Sequence, residues 1–349
     1  TMVNEVTLNY MRQVAQHAID VVANVYIPDI KAIASFYPDW FKYGKGLAGI
    51  NMLSYGDFPE IANDYSDKSI QIPRGAILNG NLNEVFDVDT RDPEQVQEFV
   101  DHSWYKYPEA DKGLHPWDGI TDQHYELPPG SDGTETKFNW LAPDGKYSWI
   151  KSPRWRGHMM EVGPLARMVI GIAKNVPHFK EPALELLKEL NLPLEAAFST
   201  LGRHAARALE CQWMTHKLAQ YIDDLTANIK AGDETAANME FWEPKTWPKE
   251  CRGVGPCEAP RGALAHYCVI KNGRLENWQA VVPTTWNASP RSSEGQKGTY
   301  ELSLIGTPLA DPKRPLEIIR TIHSFDPCLA CATHLYSPEG EELTSVQVC

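Results

Sequence analysis

The chain has 349 residues, 42% of them hydrophobic and 23% charged, which is the composition of a globular protein with room for one large domain or two ordinary ones. With 46 acidic against 33 basic residues its formal charge is -13, which argues against nucleic acid as a partner, since phosphate binding needs a clustered basic face. Its longest apolar runs, such as MVIGIA at 168–173, are far too short to span a bilayer, and no basic-plus-apolar leader opens it.

In chain order, residues 5–27 place Met11, Val14, Ala18, Val22 and Val25 at three- and four-residue spacing, the period of a helix face. Pro28 is expected to end or kink that helix, and GKGLAG at 44–49 breaks the pattern. The opening TMVNEVTLNYMRQ is already in mid-pattern, which reads as a piece of a longer subunit. GAILNGNLNEVFDVD (75–89) alternates about Asn79-Gly80 and predicts a hairpin. Asp92 and Pro93 predict the start of a short helix running to about Trp104. Residues 105–150, rich in Pro, Gly, Asp and Tyr, predict a long ordered surface excursion, because Trp117, Tyr125, Phe138 and Trp140 need burial.

Helical periodicity returns at Gly163. GPLARMVIGIAK and EPALELLKEL predict one helix each, and 193–231 a long core-forming one with Leu201, Leu209, Trp213, Leu218, Tyr221, Ile222, Leu225 and Ile229 as its apolar positions. A Trp/Pro-rich loop follows Gly232. ALAHYCVIKNGRLENWQAVVP predicts a hairpin about Asn272-Gly273, and PLEIIRTIHSF (315–325) a helix that delivers the chain into Asp326. The fold class expected is mainly α (multihelical, α+β), with long core helices and small antiparallel β hairpins.

Seven cysteines are too few and too irregular for a disulfide framework and fit a reducing compartment, with some thiols kept for metals. Cys211 and Cys268 lie in apolar segments and are expected as buried small hydrophobes. Cys328 and Cys331, in FDPCLACATH, form a C-x-x-C whose converging thiolates are soft ligands for zinc, iron–sulfur, nickel or copper(I). A structural zinc site wants a second pair, and Cys251/Cys257 is spaced more widely than usual. A thioredoxin-like site wants a βαβ context. On spacing alone, half of a metal site, a redox pair and unreactive thiols all stay open.

The surrounding residues add a resemblance. FDPCLACATH resembles the D-P-C-x-x-C-x-x-H signature at the C-terminal end of nickel–iron hydrogenase large subunits, and APRGAL (259–264), VVPTTWNASPR (281–291) and PRWRGHMMEVGPLAR (153–167) resemble the same family. The flavour is closest to its membrane-associated, hydrogen-uptake group. The resemblance implies a hydrogenase large-subunit-like fold. It also implies Cys328 as a terminal nickel ligand, and Cys331 as a ligand bridging nickel to an iron that carries cyanide and carbon monoxide. Arg261 would sit above the metals, polarising hydrogen, with Asp326 holding its orientation. Pro260 and Leu264 would wall the diatomic ligands, and Pro283 and Thr284 would contact a cyanide. His334 would ligate magnesium, with the carbonyl of Ala280 alongside. The implied partners are an iron–sulfur small subunit, a membrane cytochrome b reached through it, nickel-insertion factors and a maturation endopeptidase. The implied location is membrane-associated, on the periplasmic side after co-export, with a cytoplasmic precursor.

Two departures shape the expectation. The family's first cysteine pair, R-x-C-x-x-C, does not occur in these residues, so the chain reads as the C-terminal part of a large subunit (1–334), inactive by itself. LYSPEGEELTSVQVC (335–349) remains after the bond between His334 and Leu335, where the family's endopeptidase cuts, so the sequence reads as an unprocessed precursor whose TSVQV has strand character. Two other readings are a non-catalytic relative of the complex I quinone-site subunit, which has lost these cysteines, and a zinc-binding structural module. Trp286 and Asn287 are expected to be structural, and His158, His204 and His266 to be satisfied by hydrogen bonds. Arg154 and Arg156 are expected either to pack against helices or to line an interface.

Overall fold

The computed structural model describes residues 3–61, 64–109, 111–124, 145–233, 235, 237, 239, 240 and 242–328, and the backbone of 332–336 and 342–347. Helix α1 (Glu5–Val21) is capped by Asn4, whose side chain accepts from the Thr7 amide. The helix does not stop at Pro28. A π-helical turn (Val22–Tyr26) carries it into α2 (Ile27–Phe36), with the Ile27 amide reaching back to the Val22 carbonyl. Proline has no N–H and its ring collides with the carbonyl four residues earlier. Widening one turn just before Pro28 accommodates both problems and lets the helix continue.

Strands β1 (Met52–Pro59) and β2 (Ile70–Ile77) pair antiparallel from Met52↔Ile77 to Pro59↔Ile70. The expected hairpin over 75–89 is therefore mostly replaced. Asn79 and Gly80 do adopt positive φ, yet only Ala76 and Phe86 bridge across that loop. The short helix expected after Pro93 is instead β3 (Val96–Phe99), paired with β4 (Ser152–Trp155). Along β3 burial alternates, with Val96 and Glu98 inward, and that is the period of a strand. Arg154 on β4 bonds Asp101 at 2.5 Å and stacks over Phe99, while Arg156 lies over Trp155. Trp117 packs at the core edge and donates to the Gly253 carbonyl at 2.8 Å; Tyr125, Phe138 and Trp140 lie outside the described residues.

Helices α3 (Pro164–Ala173), α4 (Pro177–Glu189) and α5 (Thr200–Lys230) follow, the last capped by Ser199. Then comes a three-stranded antiparallel sheet of β5 (Glu250–Ala259), β6 (Gly262–Lys271) and β7 (Arg274–Val281). Its β6–β7 turn falls on Asn272-Gly273, both at positive φ, as the sequence predicts. Strand β5 was not expected. Short helices α6 (Pro283–Asn287), α7 (Thr299–Leu304) and α8 (Leu316–His323) complete the body. Among the described residues no helix is long and apolar enough to cross a membrane.

The β1–β2 hairpin lies between two layers. Leu53, Tyr55 and Ala76 join a cluster with Trp155, Ala263, Ala265, Tyr267, Val281 and Trp286. Met52, Ile72 and Ile77 join another with the apolar residues of α3, Phe179, Ala183 and Ala206. Helix accounts for about 40% of the described residues and strand for about 20%, so the architecture is mixed α and β.

Candidate metal centre

Two short turns come together over α5. The first, Pro260-Arg261, closes the β5–β6 pairing, whose last pair is Ala259↔Gly262. Gly262 (φ 130) lies against Gly163 (φ 127), the residue before α3; a Cβ on Gly262 would come within 2.6 Å of the Gly163 nitrogen. The second turn follows α8. Its Asp326, at φ 54, occupies the left-handed region that aspartate tolerates better than most residues. Arg261 donates through Nε to the Asp326 carbonyl at 2.7 Å and through Nη2 to Oδ1 at 3.4 Å. Two residues on, the Cys328 amide donates to Thr284 Oγ1 at 3.1 Å. Pro283 and Thr284 open α6 and are buried. Asn287 in the same helix exchanges hydrogen bonds with both backbone groups of Val162 (3.0 and 2.9 Å), and Trp286 is core, so both are structural as expected.

Beneath these turns lies a floor that the sequence analysis did not single out. Arg167, fully buried on α3, uses all five of its N–H groups. They reach Glu210 twice (2.7 and 2.5 Å), Glu258 once (2.7 Å), and the carbonyls of Ala259 (2.9 Å) and Pro260 (3.0 Å). Glu258 also accepts from the Tyr55 amide and the Ser54 hydroxyl, which ties β5 to β1. Arg203 pairs with Glu161 through two bonds, bonds the carbonyls of Gly44 and Lys45, and lies over the Phe325 ring at 3.8 Å. Arg207 donates to the Ser324 carbonyl at 3.0 Å and makes no ion pair among the described residues. The available signal was the spacing of Arg203, Arg207 and Glu210, which puts three long charged side chains on one face of α5.

Burial opposes charge throughout this floor. For Arg167 the two carboxylates outweigh that cost and hold it more firmly protonated than a free arginine. Burial pushes the Glu258 pKa up against the pull of Arg167, but all its contacts are donors, as an ionised carboxylate requires. Burial lowers the Arg207 pKa, with Asp326 the main opposing influence. His204 is lowered to about 4 by burial and then by Arg207, Arg203 and His323.

The expectation that all three histidines are hydrogen-bonded holds only in part. His266 accepts from the Trp278 indole at 3.0 Å, whereas no hydrogen bond from another described residue reaches the rings of His158 or His204. Cys211 and Cys268 are free thiols and only partly buried. Cys268 is a correction with a simple cause: strand alternation turns Tyr267 and Val269 inward and Cys268 outward.

Of the other candidate residues, Pro260 is exposed in its turn, and Leu264 is half-buried on the outward face of β6, opposite Cys257. Ala280 is exposed on β7, opposite His266. The side chains of Cys331, His334 and Leu335 lie outside the described residues. The backbone of β8 (Ala332–Tyr336) pairs antiparallel with β9 (Glu342–Gln347), with His334 opposite Ser345 and Leu335 opposite Thr344.

The donor set at the two turns suits a metal that carries anionic ligands. Cys328 is a free, exposed thiol. Among the described residues, Arg261 Nη1 and the Thr284 hydroxyl proton are both uncommitted, leaving two donors for an acceptor. The described residues alone hold no cluster of three or more His, Cys, Asp or Glu side chains able to bind a metal.

Residues 1–334 match the family model described as nickel-dependent hydrogenase, and the chain belongs to that family. It is 59% identical over 346 residues to the uptake hydrogenase large subunit of Rhizobium leguminosarum bv. viciae, and 51% identical over the same length to the hydrogenase-1 large chain of Escherichia coli K12. Each alignment covers 99% of this chain and 58% of the relative. The chain therefore spans less than two thirds of their length. A NiFeSe hydrogenase of Desulfovibrio vulgaris Hildenborough superposes with a TM-score of 0.73 at 32% identity, covering 93% of this chain and 60% of that one. The fold is that of a hydrogenase large subunit.

Proposed function

We propose that this chain forms the C-terminal part of the catalytic large subunit of an uptake hydrogenase, which performs H2 ⇌ 2H⁺ + 2e⁻ and passes electrons to an iron–sulfur small subunit. The observation that carries the reading is the convergence of Arg261, Asp326, Thr284 and Cys328, drawn from three separated segments onto one rim. A nickel–iron centre with cyanide and carbon monoxide ligands supplies the splitting of H2 and the uptake of its electrons. Cys328, and by resemblance Cys331, would hold it as soft thiolates. Arg261 presents a fixed guanidinium over that position, and Asp326 keeps it from swinging away. Thr284 anchors the Cys328 backbone and offers its hydroxyl proton, while Pro260, Leu264 and Pro283 contribute apolar wall. His334 and the Ala280 carbonyl would bind magnesium.

The match to the family model ending at residue 334 supports reading 335–349 as an extension removed on maturation. Pairing of β8 with β9 supports a tail that keeps His334 extended until a maturation endopeptidase cuts. The names of the relatives support an uptake role; a membrane-associated, periplasmic enzyme coupled to a cytochrome b after nickel-insertion factors have acted is what the family resemblance implies. The test is metal content and hydrogen uptake of the whole subunit, coexpressed with its small subunit and maturation proteins. Nickel and iron with uptake activity are expected; zinc alone, without uptake, would sink the proposal.

A further inference from the structure

We infer that Arg167 is a positioning residue for Arg261, setting its height over the rim by gripping the two carbonyls that precede it. This rests on the proposed hydrogenase reading. The peptide groups that the Ala259 and Pro260 carbonyls belong to are the last two before Arg261, and each accepts from a different nitrogen of one guanidinium (2.9 and 3.0 Å). That guanidinium cannot tilt, because Glu210 holds its other edge through two bonds and Glu258 a third. Arg167 thus fixes a plane, and the turn hangs from it. A lysine offers three donors on a flexible stem and cannot occupy five fixed directions. On the far side of the turn Gly163 and Gly262 meet backbone to backbone, with the Val162 side chain beside them.

Stability alone does not explain the arrangement. Arg154 is also buried and ion-paired, but its guanidinium reaches Asp101 and Phe99 rather than any backbone of the turn. It serves as the matched comparison.

The experiment compares Arg167→Lys with Arg154→Lys in the whole subunit assembled with its partner, reading three things. These are amide hydrogen exchange over 259–262, the infrared bands of the diatomic ligands, and the split between kcat and KM for H2. Both variants should melt earlier. Only Arg167→Lys should speed exchange at the turn, shift the bands and lower kcat by roughly tenfold or more with KM held within twofold, as misplacing a preorganised donor does. If Arg167→Lys does not fold, Glu210→Gln loosens the same guanidinium without removing it and should give the same three signs at smaller amplitude. Exchange and bands in Arg167→Lys or Glu210→Gln that match those of Arg154→Lys would overturn the inference. A wild type that binds no nickel would instead overturn the hydrogenase reading, leaving the exchange comparison to decide the role of the clamp.

Discussion

Arg167 and Arg261 sit on opposite sides of the same turn, and each is paired with carboxylate, but their surroundings differ. Arg167 is buried, with every N–H taken at 3.0 Å or less. Arg261 is 38% exposed, Asp326 is 41% exposed, and their side chains meet at 3.4 Å. A saturated guanidinium can only hold what it already holds, whereas a half-open one with donors to spare can meet something new. The contrast assigns structure to the floor and chemistry to the rim.

The rim should show the largest effect. Cys328→Ser replaces a soft donor with a poor one and should abolish both nickel retention and hydrogen uptake of the assembled enzyme; uptake at the wild-type rate would remove Cys328 from the site. The floor should dominate stability. Glu258→Ala strips one partner from a buried pair and should cost about 3–5 kcal/mol by urea unfolding, whereas Asp326→Asn should cost less than about 1 kcal/mol, because exposed pairs are screened. Equal costs would erase the distinction between floor and rim. In activity the order reverses: Arg261→Lys should lose roughly a hundredfold in turnover, about 2.7 kcal/mol, with metals still bound and Tm nearly unchanged.

The smallest effect sharpens the electrostatics between the two regions. His204 is held neutral by burial and by Arg207, Arg203 and His323, with a pKa of about 4. Because this base has a folded pKa below its unfolded value, its contribution is present above about pH 6.5 and lost as pH falls toward 4. Wild type should therefore lose about 1 kcal/mol more than His204→Asn between pH 7 and 5.5. Parallel pH dependences would show that His204 is not held neutral in the folded protein.

The rim was legible in the sequence because its residues sit in short contiguous runs, APRGAL, VVPTTWNASPR and FDPCLACATH. The floor was not, because Arg167, Glu210 and Glu258 are brought together from α3, α5 and β5, and a charged residue on a helix ordinarily reads as a solvent face. The same locality decided the strands. Asn272-Gly273 announces the β6–β7 turn by itself, and the structure follows it. Strand β5 contains Gly253, Gly255 and Pro256, all poor strand formers, and exists because β6 pairs along its whole length. Strands β1 and β2 are covered on both sides, so no alternation marks them. In β3 the sequence EQVQEF looks helical until Glu98 is seen turned inward, 3.8 Å from Lys151.

The meeting of Gly163 with Gly262 has a consequence for how such a site can vary through mutation. Both residues are at positive φ, and a Cβ on either would press on the backbone opposite: 3.1 Å from the Arg261 carbonyl oxygen for Gly163, and 2.6 Å from the Gly163 nitrogen for Gly262. No substitution there is a small step, since even alanine would force two main chains apart and carry Arg261 with them. A library randomised at both positions and selected for hydrogen-dependent growth should return glycine at each.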